Sequence, residues 1–396
     1  MAEKIRVLTI ISGLAIGEPL GGAERFGIEL ARSLNRDKFE PIVCAFWRRG
    51  VPSEHYWVDY LAKVGVEVFF AMDRGGGFNP SRYMEGLWNI GSYLQDRPVD
   101  VIHSHFQLGS VTALLLKRRL GAKALIRTAH GSVRWEWSNT LYGFLCRQVF
   151  TKWIFPLGYD AEAGVSQAVV SSLNQRPGVQ ITGKKALLIY NGICPERFRV
   201  DINQSKRLEL GLSQDDLVVG SVGRLSEQKG YAFLIEAALH ALAELPNIKF
   251  VIIGDGELRA SLELKVRQLG LSNTVIFTGP RQEVESLFRV MDLFVLPSLW
   301  EGLPTVILES MASGVPVVAT DIPGTRELVQ AGQTGWLVRH KDSAGLAKAI
   351  VEALRDPLKR ADIANRALDT VVARYSMARI ANQYETLYHN VTGHLA

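Results

Sequence analysis

The chain has 396 residues, 47% hydrophobic and 21% charged, with 36 glycines and 15 prolines, a composition that excludes disordered and collagen-like classes and supports two or three domains with sizeable cores. Its three cysteines, Cys44, Cys146 and Cys194, are too few and scattered for a disulfide framework and form no C-x-x-C, so a reduced, cytosolic setting is expected. The net charge of +5 is uneven: residues 1–190 carry 23 Lys and Arg against 16 Asp and Glu, and the remainder 22 against 24.

Lys4 and Arg6 before the apolar run Val7 to Ile11 imitate a signal peptide. No A-x-A site follows, and the Gly-rich stretch from Gly13 to Gly22 suits a first strand entering a helix. No window reaches 18 uncharged apolar residues, so no membrane span is expected.

Apolar runs of strand length recur at Ile5–Ile11, Pro41–Phe46, Val66–Phe70, Val99–His103, Ala124–Ala129 and Ala186–Ile189. Helix-period segments stand between them at Glu24–Leu34, Arg82–Leu94 and Ser110–Leu120. This alternation predicts a parallel sheet covered on both faces. The pattern restarts with Leu217–Val222, Ile248–Ile253, Val275–Thr278, Leu293–Leu296, Val315–Ala319 and Gly335–Val338. The fold class is therefore α/β, two doubly wound Rossmann-like domains. The expected division is 1–190 and 191–375, with a polar hinge from Asn191 to Asp216. The chain then ends in the helices Ser343–Leu354, Leu358–Ala373 and Met377–His389. Ligands bind beyond the carboxyl ends of parallel strands, and two such domains facing each other would enclose a cleft.

Three turns directly after strands carry chemistry. Gly21-Gly22-Ala23-Glu24 opens a helix with glycines that let a ligand approach the backbone; the same pair is also an ordinary turn. It is neither a G-x-G-x-x-G nor a P-loop. In Gly223-Arg224 through Lys229-Gly230, a guanidinium fork and a mobile ammonium stand where they could neutralise a diphosphate. Glu301-Gly302-Leu303-Pro304 leads into a short helix with Glu309, putting Pro304 at the first helical position and two carboxylates at different depths.

His103 and His105 alternate on one strand without a third ligand at convincing spacing, and no D-x-D occurs, so no metal site is expected. His130 closes the strand Ala124–Ala129, where a packed role and a functional one both remain open.

Together these pieces resemble the retaining glycosyltransferases of family 4, with the GT-B architecture of two Rossmann-like domains. Gly21-Gly22-Ala23-Glu24 is similar to that family's N-terminal loop, and Thr128-Ala129-His130-Gly131 to its histidine segment. Gly223-Arg224 through Lys229-Gly230 is similar to its diphosphate-binding turn, and Glu301 through Glu309 to its Glu-x7-Glu signature. The resemblance implies that Arg224 and Lys229 hold the donor diphosphate and Glu309 the ribose hydroxyls. It places Glu301 with the Gly302, Leu303 and Pro304 backbone on the transferred sugar, His130 near the reacting centre, Gly22 on the donor, and Gly279 to Arg281 against the base through main-chain groups. It further implies transfer from a nucleotide-diphosphate sugar, a co-substrate rather than a cofactor, to a saccharide or lipid-linked acceptor, with retention and without metal. The helix at about 376–396 would pack back on the N-terminal domain. A nucleotide-sugar 2-epimerase of the same architecture is the alternative.

Residues 111–152 hold eight cations against Glu136 alone, with aromatics such as Trp135, Trp137 and Trp153 in or just after the stretch. This composition suits the anionic inner face of a membrane. The competing reading packs the aromatics inside and leaves the cations on a solvated face. No nucleic-acid module is present.

Overall fold

In a computed structural model, residues 4–15, 21–73, 80–131, 144, 146, 148–199, 204–281 and 283–393 are described. The chain divides into two compact units, Met1–Gly192 with Met377–Ala396, and Ile193–Ser376.

The first unit is built on β1 (Ile5–Gly13), β2 (Phe39–Arg48), β3 (Glu67–Asp73), β4 (Val101–Ser104), β5 (Ala124–Ala129), β6 (Ala161–Gly164) and β7 (Leu187–Leu188). All pairs are parallel, in the order β3-β2-β1-β4-β5-β6-β7. The connecting helices include α1 (Gly22–Ser33), α2 (Pro52–Ala62), α3 (Pro80–Tyr93) and α4 (Gln107–Leu116). Ile28 of α1 and Trp57 of α2 pack with Ile11 and Val43 on one side of the sheet. Tyr83 and Leu87 of α3, Ala113 and Leu116 of α4, and Phe155 pack with Leu8, Ile42 and Ile102 on the other. The sheet is buried on both faces, as continuous apolar strands require.

Two elements depart from the sequence reading. β6, Ala-Glu-Ala-Gly, has no apolar run, yet it pairs fully with β5. Its Glu162 is buried between Arg127 on β5 and Arg176, and the Arg127 guanidinium also stacks on Phe155 at 4.9 Å. Helix α2 lies in a stretch where the sequence shows no clear helical period. In the segment read as a hinge, the described residues form a 3-10 turn at Pro195–Phe198 and a helix at Gln204–Glu209.

The second unit carries β8 (Leu217–Val222), β9 (Ile248–Ile253), β10 (Val275–Gly279), β11 (Leu293–Leu296), β12 (Val317–Thr320) and β13 (Trp336–Val338) in the all-parallel order β10-β9-β8-β11-β12-β13. Strand order reverses between β1 and β4 in one sheet and between β8 and β11 in the other. The loops leaving these strands diverge there and open a crevice at the carboxyl edge. The last helix, Met377–Thr392, belongs to the first unit.

Candidate donor site and histidine cluster

At the β8/β11 switch point of the second unit, the turn after β8 brings Lys229 against Glu301 from the turn after β11, 2.6 Å between Nζ and Oε1. Both side chains are largely covered, at 15% and 7% exposure. Ser298 Oγ donates to the same carboxylate oxygen at 2.7 Å, and Gln228 Nε2 donates to Oε2 at 3.2 Å. Gly230 has φ +63°, and a Cβ there would stand 2.2 Å from the Pro297 carbonyl oxygen, so only glycine lets the two turns meet this closely. The Tyr231 hydroxyl is buried, and a Cβ on Gly223 would meet it at 3.2 Å. Burial pushes its pKa up, keeping the phenol neutral.

Arg224 instead projects outward, with Nε donating to Glu257 Oε2 at 3.2 Å. Glu309 is buried in the short helix Thr305–Ala312. Pro304 is that helix's N-cap, with φ −73° and ψ 103°, and Thr305 takes the first helical position. The expected placement of Pro304 is therefore off by one residue: the backbone stays extended at the proline. Gly302 and Leu303 lie in the turn between, and a Cβ on Gly324 would meet the Gly302 carbonyl oxygen at 2.6 Å. Gly279 ends β10 with φ +74° and accepts from the Gly254 N–H at 3.0 Å. The Arg281 side chain is tied to Glu209 at 2.7 Å, so only its main chain is left for the role expected of it.

In the first unit, Gly22 begins α1 and Glu24 reaches back from the first turn. Its carboxylate accepts from Ser12 Oγ at 2.5 Å and from the Gly21 N–H at 3.2 Å, fastening the loop to the end of β1. His130 Nε2 stands 3.2 Å from His105 Nδ1, so one ring donates and the other accepts. Phe26 of α1 packs edge-on against both rings. His103 is held by Tyr388 through Nδ1 at 2.8 Å and by Thr128 through Nε2 at 2.7 Å, and Thr128 meets Tyr384 at 2.7 Å. The last helix thus grips the ends of β4 and β5. The alternation of His103 and His105, first read as a false metal pair, marked half of this cluster. His130 was marked by its place at the end of Ala124–Ala129, but its pairing with His105 left no sequence signal.

Burial is the main cause that drives His103 and His130 down to about 3 and His105 well below its ordinary value. Neighbouring histidines add to the effect on His103 and His105; Arg127 adds to it on His130, which Asn191 opposes. The unfolded chain binds these protons near pH 6.5 while the folded one does not. The stability these neutral rings contribute is accordingly complete above about pH 6.5 and is lost as pH drops toward 3. Calorimetric melts at pH 7 and pH 5 check this, and equal melting temperatures would count against neutral, buried rings.

The basic aromatic segment is less uniform than its composition. Arg127 is buried, Lys117 pairs with Asp160 at 2.9 Å and Lys123 with Asp100 at 2.7 Å. Arg134, Trp135, Glu136, Trp137, Tyr142 and Arg147 lie outside the described residues. Among the described residues, no helix is long and apolar enough to cross a membrane.

Residues 20–197 match the model described as Glycosyltransferase Family 4, and residues 203–370 the one described as Glycosyl transferases group 1. The chain is 25% identical over 382 residues to the UDP-Gal:alpha-D-GlcNAc-diphosphoundecaprenol alpha-1,3-galactosyltransferase of Escherichia coli, covering 93% of this chain and 94% of that protein. It is 30% identical over 297 residues to the putative teichuronic acid biosynthesis glycosyltransferase TuaC of Bacillus subtilis, covering 74% and 71%. The crystal structure of Anabaena HepE in complex with UDP and glucose superimposes with a TM-score of 0.80 at 24% identity, over 97% of this chain and 99% of that one.

Proposed function

Because the chain belongs to the family 4 glycosyltransferases, whose group 1 module covers its second unit, we propose that it transfers a hexose from a nucleoside-diphosphate sugar to an acceptor hydroxyl, with retention of configuration and without a divalent cation. The observation that carries this reading is the covered Lys229 and Glu301 pair at the switch point. Cleaving the bond between sugar and phosphate builds negative charge on the departing diphosphate and positive charge on the sugar. A fixed ammonium stabilises the departing group more in the transition state than in the ground state, which is the condition for catalysis.

Lys229 and the exposed Arg224 are assigned to the diphosphate and Glu309 to the ribose. Glu301 with the backbone of Gly302 to Pro304 takes the transferred sugar, which His130 also contacts; Gly22 is assigned to the donor, and Gly279 with the Arg281 main chain to the base. A uridine nucleotide is the first donor to test, since the E. coli relative is a UDP-Gal transferase and HepE was crystallised with UDP. The E. coli relative also motivates a lipid-linked saccharide as acceptor, met at the cytoplasmic face of a membrane.

The test is titration calorimetry of UDP and UDP-hexoses with and without EDTA, followed by transfer assays. Glu309→Ala should weaken bare nucleotide and sugar nucleotide alike, by about 1.5–3 kcal/mol, the range of a lost charge-assisted hydrogen bond. Loss of binding on chelation would overturn metal independence. Conversion of the sugar nucleotide to its isomer without any acceptor would favour the epimerase chemistry.

A further inference from the structure

We propose that the outer face of the helical layer formed by α3, α4 and residues 148–158 docks on an anionic lipid bilayer. These helices lie side by side on one face of the first sheet, where Tyr83, Ala113 and Phe155 enter the same core. The Arg119 guanidinium lies over the Trp88 ring at 4.6 Å, joining the end of α4 to α3. A Cβ on Gly158 would meet Leu114 at 2.5 Å, joining α4 to the next helix.

The side chains this layer turns outward are not those of a solvated face. On α3, Met84 and Trp88 stand one turn apart at 60% and 65% exposure. Leu115 of α4 is 56% exposed, and Val149, Trp153 and Leu157 follow at every fourth residue, all above 40%. Exposed apolar groups that recur along adjacent helices mark an interaction surface.

Charge selects the partner. Arg118, Arg119 and Lys152 are exposed on the same helices and the turns that end them. Among the described residues, the nearby acids are Glu85 and Asp96, exposed on α3 and the turn that ends it, and Asp160, already paired with Lys117. Cations beside tryptophans fit the headgroup level of an anionic leaflet. A second copy would set the same cations against each other with fewer acids than cations to answer them. The surface lies wholly in the first unit and is independent of the donor assignments above.

The experiment is flotation of the full chain with phosphatidylcholine vesicles with and without phosphatidylglycerol, at low and high salt. Binding is expected only with phosphatidylglycerol, weakening as salt screens the surface. Trp153→Glu with Leu157→Glu should abolish it. Arg118→Ala with Lys152→Ala should weaken it roughly thirtyfold, from about 1 kcal/mol per surface cation, with the thermal melt and nucleotide binding unchanged. The second pair keeps the test intact if the first fails to fold. No flotation at low salt, or equal flotation of folded variants, would overturn the proposal. So would a lipid-free dimer in sedimentation that dissociates in Trp153→Glu with Leu157→Glu, which would assign the face to a second copy.

Discussion

Replacing Lys229 by alanine is expected to lower the transfer rate roughly 10²–10³-fold, the scale of losing one preorganised charge partner of the transition state. The same change leaves the Glu301 carboxylate, 7% exposed, with Ser298 and Gln228 as its side-chain donors among the described residues, so a lower melting temperature should accompany it. Glu301→Gln separates the two roles. It keeps a hydrogen-bond acceptor near Ser298 while freeing Lys229 from the partner that competes with the diphosphate. Bare UDP should bind roughly tenfold tighter, the equivalent of about 1.4 kcal/mol, while transfer still falls because the sugar has lost its carboxylate. Calorimetry on both ligands reads the difference. If Glu301→Gln loosened UDP, the exchange of Lys229 from carboxylate to diphosphate would be wrong.

The largest effect on stability is expected away from the donor site. Glu162 pairs with both Arg127 and Arg176, and all three are buried. Deleting it in Glu162→Ala removes the carboxylate that two buried guanidinium groups share. The expected cost is about 3–5 kcal/mol, or roughly 10–15 °C in the melting of a unit this size. Glu162→Gln, which keeps the shape and one acceptor, should recover part of the loss. A melt of Glu162→Ala within a degree or two of the parent would mean that water reaches the triad.

Glu162 also shows where the sequence stops being informative. The strands that hydrophobicity located, such as Ile248–Ile253, are buried by their own side chains. β6 is a strand because β5 and β7 flank it and because two arginines neutralise its glutamate, neither of which a four-residue string of small residues reveals. The donor site divides in the same way. The turns after β8 and β11 were visible as Gly- and Pro-marked breaks after apolar runs, but residues 229 and 301 lie far apart in sequence, and only the order β8-β11 makes them neighbours. Arg224 was read as a phosphate ligand from its type, while its contact with Glu257 depends on how the turn after β9 folds. Arg127 was counted among surface cations because composition carries no depth.

The return of the chain to its first unit has a consequence for biosynthesis. The tyrosines that hold His103 and Thr128 in place, Tyr384 and Tyr388, sit on a helix that follows the whole of Ile193–Ser376 in sequence. At about 5–20 residues per second, ribosomes need roughly 10–40 s to make the second unit before that helix emerges. Until then His103, three strands deep in the first sheet, has no tyrosine beside it. The unit translated first is therefore completed last, while the second can fold from one contiguous stretch. A fragment ending at residue 192 would reproduce the nascent state rather than the finished lobe, and its His103, less buried, would titrate closer to the range of a free imidazole.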